Sequence, residues 1–202
     1  MSSLLELHAE ALFVHDARGR ITYVNEPGGA RAPRCFASRA RDGSGELMRL
    51  RDDVAERPAE LAPSGPAYAF PDELPAAEVA LLGPGDFERV RELGWERAEF
   101  ARDFAVRAPF CALIEGELAI ALCFSARLTP RAAEAGVTTH PAHRRRGHGA
   151  AVVAAWARAI RATGRVPLYS TSWDNLASQA LARRLGLACY AEDFASSAAI
   201  AS

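Results

Sequence analysis

The chain has 202 residues, 50% of them hydrophobic and 24% charged, which suits one soluble globular domain or one plus an elaboration. A net charge of −1 and a sequence pI of about 6.5 give no general drive toward nucleic acid or an anionic membrane. All 24 basic residues are arginine, a bias that reads first as composition, although a guanidinium also suits planar recognition of phosphate.

Residues 1–10 lack a basic leader and a long apolar run, and nowhere do about 18 uncharged apolar residues follow one another. Neither a signal peptide nor a membrane span is expected, and a cytoplasmic location is the default. Residues 11–25 predict a hairpin: Leu12-Phe13-Val14-His15 and Ile21-Thr22-Tyr23-Val24 flank a turn that contains Gly19. A second strand pair is expected at 34–38 and 46–50, bridged by Asp42-Gly43-Ser44-Gly45. From 57 to 84 prolines recur so often that the sequence predicts only short helices or turns. Helical spacing returns at 86–93, with Phe87, Val90 and Leu93 on one face, and at 95–107, with Phe100 and Phe104 on the next. After Pro109 the pattern changes to a strand hairpin, 110–114 and 118–124, around Glu115-Gly116. Cys35, Cys111, Cys123 and Cys189 form no Cys-x-x-Cys and read as buried, reduced thiols.

The stretch 137–150, Val-Thr-Thr-His-Pro-Ala-His-Arg-Arg-Arg-Gly-His-Gly-Ala, joins a strand expected at 133–139 to a helix expected at 149–162. Such a junction suits phosphate. The helix start offers unpaired amides and the positive end of the dipole, and Gly147 and Gly149 let the main chain come close to an anion. A nucleotide-hydrolase loop would need a lysine, and the chain has none. A dinucleotide fingerprint would follow its strand directly, whereas His140 to Arg146 intervene here and position 152 is Val. On the helix, Val152, Trp156, Ala159 and Ile160 form an apolar stripe for packing on a sheet. A buried strand is expected at 166–172, then a helix capped by Asp174 or Asn175 and ended by Gly186.

The loop Arg144-x-x-Gly147-x-Gly149 resembles the pyrophosphate loop of the GNAT superfamily of N-acetyltransferases, Arg/Gln-x-x-Gly-x-Gly/Ala. The run Asn175-x-x-Ser178-x-x-Leu181-Ala182-x-x-Leu185-Gly186-Leu187 resembles the second motif of that superfamily, and the order of elements is also similar. The resemblance covers roughly 85–195, which divides the chain into an N-terminal segment of strand hairpins, 1–75, packed on the same fold, and a core, 76–202. It implies an α/β (α+β) acetyltransferase fold: a mixed central sheet with helices on both faces and a splayed strand pair holding CoA. Acetyl-CoA, the co-substrate, would meet the loop amides of Arg144, Arg145, Arg146, Gly147, His148, Gly149 and Ala150. Its pantetheine arm would pair with the strand edge at Val137, Thr138 and Thr139 and meet the side chains of Asn175 and Ser178.

The resemblance further implies direct attack of an amine, from a small molecule or a protein, on the thioester. Glu134 is the candidate catalytic base, because it lies on the strand that carries the reaction centre and an apolar setting would raise its pKa. A solvated strand-end carboxylate is the competing reading. The tyrosine that often serves as acid one place after Leu181 is Ala182 here, which leaves the acid unassigned. His140, His143 and His148 lack metal-ligand spacing with carboxylates, so no metal is expected. The partners expected are an amine acceptor and, as quaternary state, a homodimer, with no nucleic acid and no membrane. The wording around Asp16, Gly19-Arg20-Ile21 and Val24-Asn25 also resembles a hairpin of PAS sensor domains. The alternative function is therefore a CoA-binding sensor or regulator without transfer activity. Because the core ends shortly after Tyr190, the N-terminal hairpins are expected to cover its sheet edge or the acceptor side.

Overall fold

The computed structural model describes residues 3–196. Ser3 opens helix α1 (Leu4–Leu12): its hydroxyl accepts from the Glu6 amide while the Glu6 carboxylate accepts from the Ser3 amide. Sequence spacing predicted no helix here, although Ser3-x-x-Glu6 ahead of an apolar run is its signature. The hairpin follows as β1 (Phe13–His15) and β2 (Ile21–Val24), with Gly19 at φ 75° in the turn. The second pair is β3 (Cys35–Ala40) and β4 (Glu46–Leu50), antiparallel from Cys35 opposite Leu50 to Arg39 opposite Glu46.

The proline-rich stretch departs from expectation, for it contains an eight-residue strand, β5 (Ala62–Ala69). Two prolines are tolerated because their missing amides fall where no ladder bond is due. Pro66 turns its carbonyl, which accepts from the Thr171 amide, toward a neighbouring strand that has already ended at Ser170. Pro63 sits at a register shift in the opposite neighbour, between Asp193 and Phe194. Gly65 is required here, since a Cβ would stand 1.7 Å from the Thr171 carbonyl oxygen.

The remaining strands are β6 (Ala80–Leu81), β7 (Cys111–Glu115), β8 (Leu118–Leu128), β9 (Ala132–Thr139), β10 (Val166–Ser170) and β11 (Ala188–Ala195). The helices between them are α2 (Phe87–Val90), α3 (Arg97–Arg107), α4 (His148–Ala162) and α5 (Leu176–Arg184). The helix expected over 86–93 is thus split, a 3-10 turn at Arg91–Leu93 following α2 and Gly94 closing it at φ 87°. Nine strands form one sheet in the order β4-β3-β11-β5-β10-β9-β8-β7-β6, antiparallel except for β9 and β10. Strands from the first 75 residues therefore lie inside the same sheet as the rest, and β5 separates β10 from β11.

Period-2 alternation along β8 and β9 sends side chains to two cores. Ala121, Cys123, Ala133 and Ala135 face α4, whose Val152, Val153, Trp156 and Ile160 are fully buried. Burial of side chains this large contributes about 1.5–3 kcal/mol each. Trp156 also donates its indole N–H to Ser125 Oγ at 3.2 Å, so it is core, as its spacing predicts. Leu122 and Phe124 face the other way, into Trp95, Phe100 and Phe110 under α2 and α3. Helix α1 covers that same face further along, placing Ala11 against Ala132 and Leu168. Cys111 lies opposite Cys123, both thiols are buried and free, and burial pushes Cys111 up to about 11. Among the described residues no helix is long and apolar enough to cross a membrane.

Candidate functional site

Strands β9 and β10 stay in register for only three pairs, Val166–Ala132, Pro167–Ala133 and Leu168–Glu134. Beyond that fork β9 continues along β8 as far as Thr139 opposite Ala121, so its other edge from Ala135 to Thr139 is left without a strand. The opening leads into a cavity of about 1140 Å³. All of Val137, Thr138, Thr139, the loop Arg144 to Ala150, Asn175 and Ser178 line it, which brings together every binding residue read from the sequence.

The loop is shaped by a 3-10 turn at Pro141–His143 and then by two left-handed residues, Arg145 at φ 63° and Gly147 at φ 89°. Gly147 is the N-cap of α4, and the first helical bond there runs from the Ala151 amide to the Gly147 carbonyl at 3.2 Å. The amides of His148, Gly149 and Ala150 therefore precede the helix ladder and face the cavity end. Arg144, Arg145 and Arg146 are exposed, and Arg144 Nε donates to the Thr139 carbonyl, which ties the loop to the end of β9. Across the cavity Asn175 Oδ1 accepts from the Ser178 amide at 3.1 Å and so caps α5. That helix also presents Ala177, Leu181 and Arg184 to the cavity; Leu181 stands in the second motif, but none of the three was read as a binding residue. Their i, i+4, i+7 spacing was the available signal.

Glu134 sits at the fork but does not border the cavity, and it is 1% exposed. Its Oε1 meets His8 Nδ1 of α1 at 2.8 Å, and its Oε2 accepts from Ser170 Oγ at 3.0 Å. His8 Nε2 in turn meets Asp193 Oδ2 of β11 at 2.7 Å. The expectation of an apolar setting with a raised pKa is therefore corrected. Burial by itself pushes Glu134 up, but the hydrogen bond and charge of His8, the charge of Arg127 and the Ser170 hydroxyl outweigh it and hold the carboxyl below its ordinary range. Burial likewise disfavours the imidazolium of His8, yet Asp193 and Glu134 raise it to about 10.

These shifts fix a pH dependence of stability. The folded chain holds the His8 proton more tightly than the unfolded chain, so this contribution is complete below pH 6.5 and declines as pH climbs toward 10. Glu134 acts in the opposite sense, its contribution being present above 4.5 and lost on acidification. Thermal melts between pH 6.5 and 8, below the ordinary value of the buried thiols, are expected to show a falling midpoint. A flat or rising midpoint over that interval would mean that His8 is not held as imidazolium.

A mixed sheet covered by helices on both faces and forked between two parallel strands beside a helix-start loop defines the acetyltransferase class of fold. Residues 95–192, just under half of the chain, match the family model described as GNAT acetyltransferase. Solved structures agree in fold. A protein from Novosphingobium aromaticivorans assigned to the GNAT family is 18% identical, with a TM-score of 0.56, over 95% of this chain and 92% of its own. A GNAT-family acetyltransferase from Colwellia psychrerythraea is 13% identical, with a TM-score of 0.53, over 68% of this chain, and the chain spans only 57% of that protein. A GCN5-related N-acetyltransferase from Sphaerobacter thermophilus is 16% identical, with a TM-score of 0.51, over 66% of this chain and 51% of its own. No curated protein matches the sequence.

Proposed function

We propose that this protein transfers the acetyl group of acetyl-CoA to an amine of a small molecule or a protein. The observation that carries the reading is the joint lining of one cavity by the free edge of β9, the left-handed loop ahead of α4 and the start of α5. Acetyl-CoA supplies an activated acyl carbon for the amine lone pair and a thiolate as leaving group. The chain supplies the rest. Amides from Gly147 to Ala150 and the neighbouring arginines suit a pyrophosphate, and the unpaired main chain of Val137 to Thr139 suits an amide-bearing arm that adds to the sheet as a strand would. A backbone amide on that same edge is available to hold the oxyanion of the tetrahedral intermediate.

The amine must lose a proton, and Glu134 is the acceptor we assign. Since it is buried, the proton passes through Ser170: the hydroxyl takes it at Oγ and gives its own to Glu134 Oε2, 3.0 Å away. Ala182 is fully buried and carries no acid, so water in the open cavity protonates the departing thiolate. The test is free-thiol release from acetyl-CoA against a panel of small amines and lysine peptides, with calorimetric binding of acetyl-CoA, NAD and ATP beside it. Acetyl-CoA alone should bind, and at least one amine should release thiol. Tight binding without release from any amine would favour the CoA-binding sensor instead, and binding of NAD or ATP in place of acetyl-CoA would overturn the cavity assignment.

A further inference from the structure

We infer that His8, carried in on the N-terminal helix, is a positioning residue for the transfer reaction: it holds the Glu134 carboxylate at the fork between β9 and β10, turned toward Ser170. The inference rests on the acetyl-transfer reading above. Glu134 is the last residue of β9 in register with β10, opposite Leu168, and Ser170 lies two residues beyond, where the strands have begun to part. The Glu134–Ser170 hydrogen bond thus spans the opening, and the His8 contact fixes the other oxygen of the same carboxylate.

The array has a definite proton count. Contacts of 2.8 and 2.7 Å from the two ring nitrogens to two carboxylates each need one proton. With an imidazolium between two carboxylates, the group of three carries one net negative charge. It can accept one further proton and become neutral, a step that burial favours and that the His8 and Ser170 contacts to Glu134 oppose. At the far end Asp193 Oδ1 accepts from the buried hydroxyl of Ser38 at 2.7 Å, so both of its oxygens are engaged. The near end is Ser170, half-buried and beside the fork. A proton can therefore enter from the Ser170 side. The rings of Phe36 and Tyr190, each 6.0 Å from the His8 ring, keep the array dry. The other charged or titratable groups coupled to it are Arg127 of β8, Tyr169 of β10, and Tyr190 and Cys189 of β11.

The experiment measures turnover against pH, the KM for acetyl-CoA and the nitrogen NMR signals of the His8 ring, all on the full chain. Wild-type turnover should rise with pH through one limb. In His8→Gln it should fall about 10- to 100-fold with KM for acetyl-CoA unchanged. The limb should also move up by about one pH unit or more, because Glu134 loses its cationic neighbour. In Glu134→Gln the limb should vanish. A folded His8→Gln protein with wild-type turnover and an unmoved limb overturns the inference. Should that variant not fold, the wild-type ring still decides: no titration near 6.5 is expected, and an ordinary titration there overturns the inference equally. Absence of thiol release in the wild type, by contrast, sinks the transfer reading itself, so the two failures are distinguishable.

Discussion

Valine in place of Gly147 is expected to lower acetyl-CoA affinity at least about 100-fold, a loss equivalent to roughly 3 kcal/mol. The backbone, more than the added bulk, sets this size. A Cβ at Gly147 would stand 2.8 Å from the Arg184 guanidinium, but that is the far end of a flexible side chain and can move aside. The φ of 89° cannot be kept at low cost by a β-branched residue, so the loop must rearrange and turn its amides off the cavity end of α4. Gly149 has no positive φ, and its Cβ would meet side-chain atoms, Leu181 Cδ1 at 3.2 Å, Thr139 Oγ1 at 3.4 Å and Val137 Cγ2 at 3.7 Å, so valine there should weaken binding less. Gly164→Val is the control, for it imposes comparable strain at φ 80° beyond the far end of α4, with open space around it. It should lower the melting midpoint and leave calorimetric affinity intact. Full affinity in Gly147→Val would mean that the loop does not hold the pyrophosphate.

The parts of this site that could be read from sequence are those built by local rules. Strand β9, the glycine-arginine loop and α4 are contiguous, so their spacing alone locates the phosphate end of the cavity, and Asn175 announces its own cap. The proline-rich strand β5 was not legible, because whether Pro63 and Pro66 break a strand depends on a register shift in β11 and on where β10 ends. Glu134 shows the limit most clearly. Its position on β9 could be read, but its chemical state depends on His8, 126 residues earlier, and no periodicity links those two positions. The same holds for Asp193, whose partner on α1 lies 185 residues away.

A chain beginning at residue 76 is expected not to fold, which is the largest effect the architecture implies. It would lack β5, and β5 is not a covering strand: it pairs with β11 from Ala188–Ala69 to Ala195–Ala62 and with β10 through Leu168, Tyr169 and Ser170. Without it β10 and β11 lose their shared neighbour and two long edges open, and β3 and β4, which flank the other side of β11, are deleted with it. The loss of α1 and β3 also strips the cover from Glu134 and Asp193 and removes the His8 that bridges them, opening this face of the sheet to water. Typical domains are stable by only about 5–15 kcal/mol, so the two losses together should exceed what the remaining core supplies. Circular dichroism and thermal melts of the 76–202 chain should show no cooperative transition, and the protein should be recovered aggregated. If that chain is instead soluble, melts cooperatively and binds acetyl-CoA as the full chain does, the first 75 residues are an appended module, and the sensor reading of their hairpin gains the ground that the interleaved sheet now denies it.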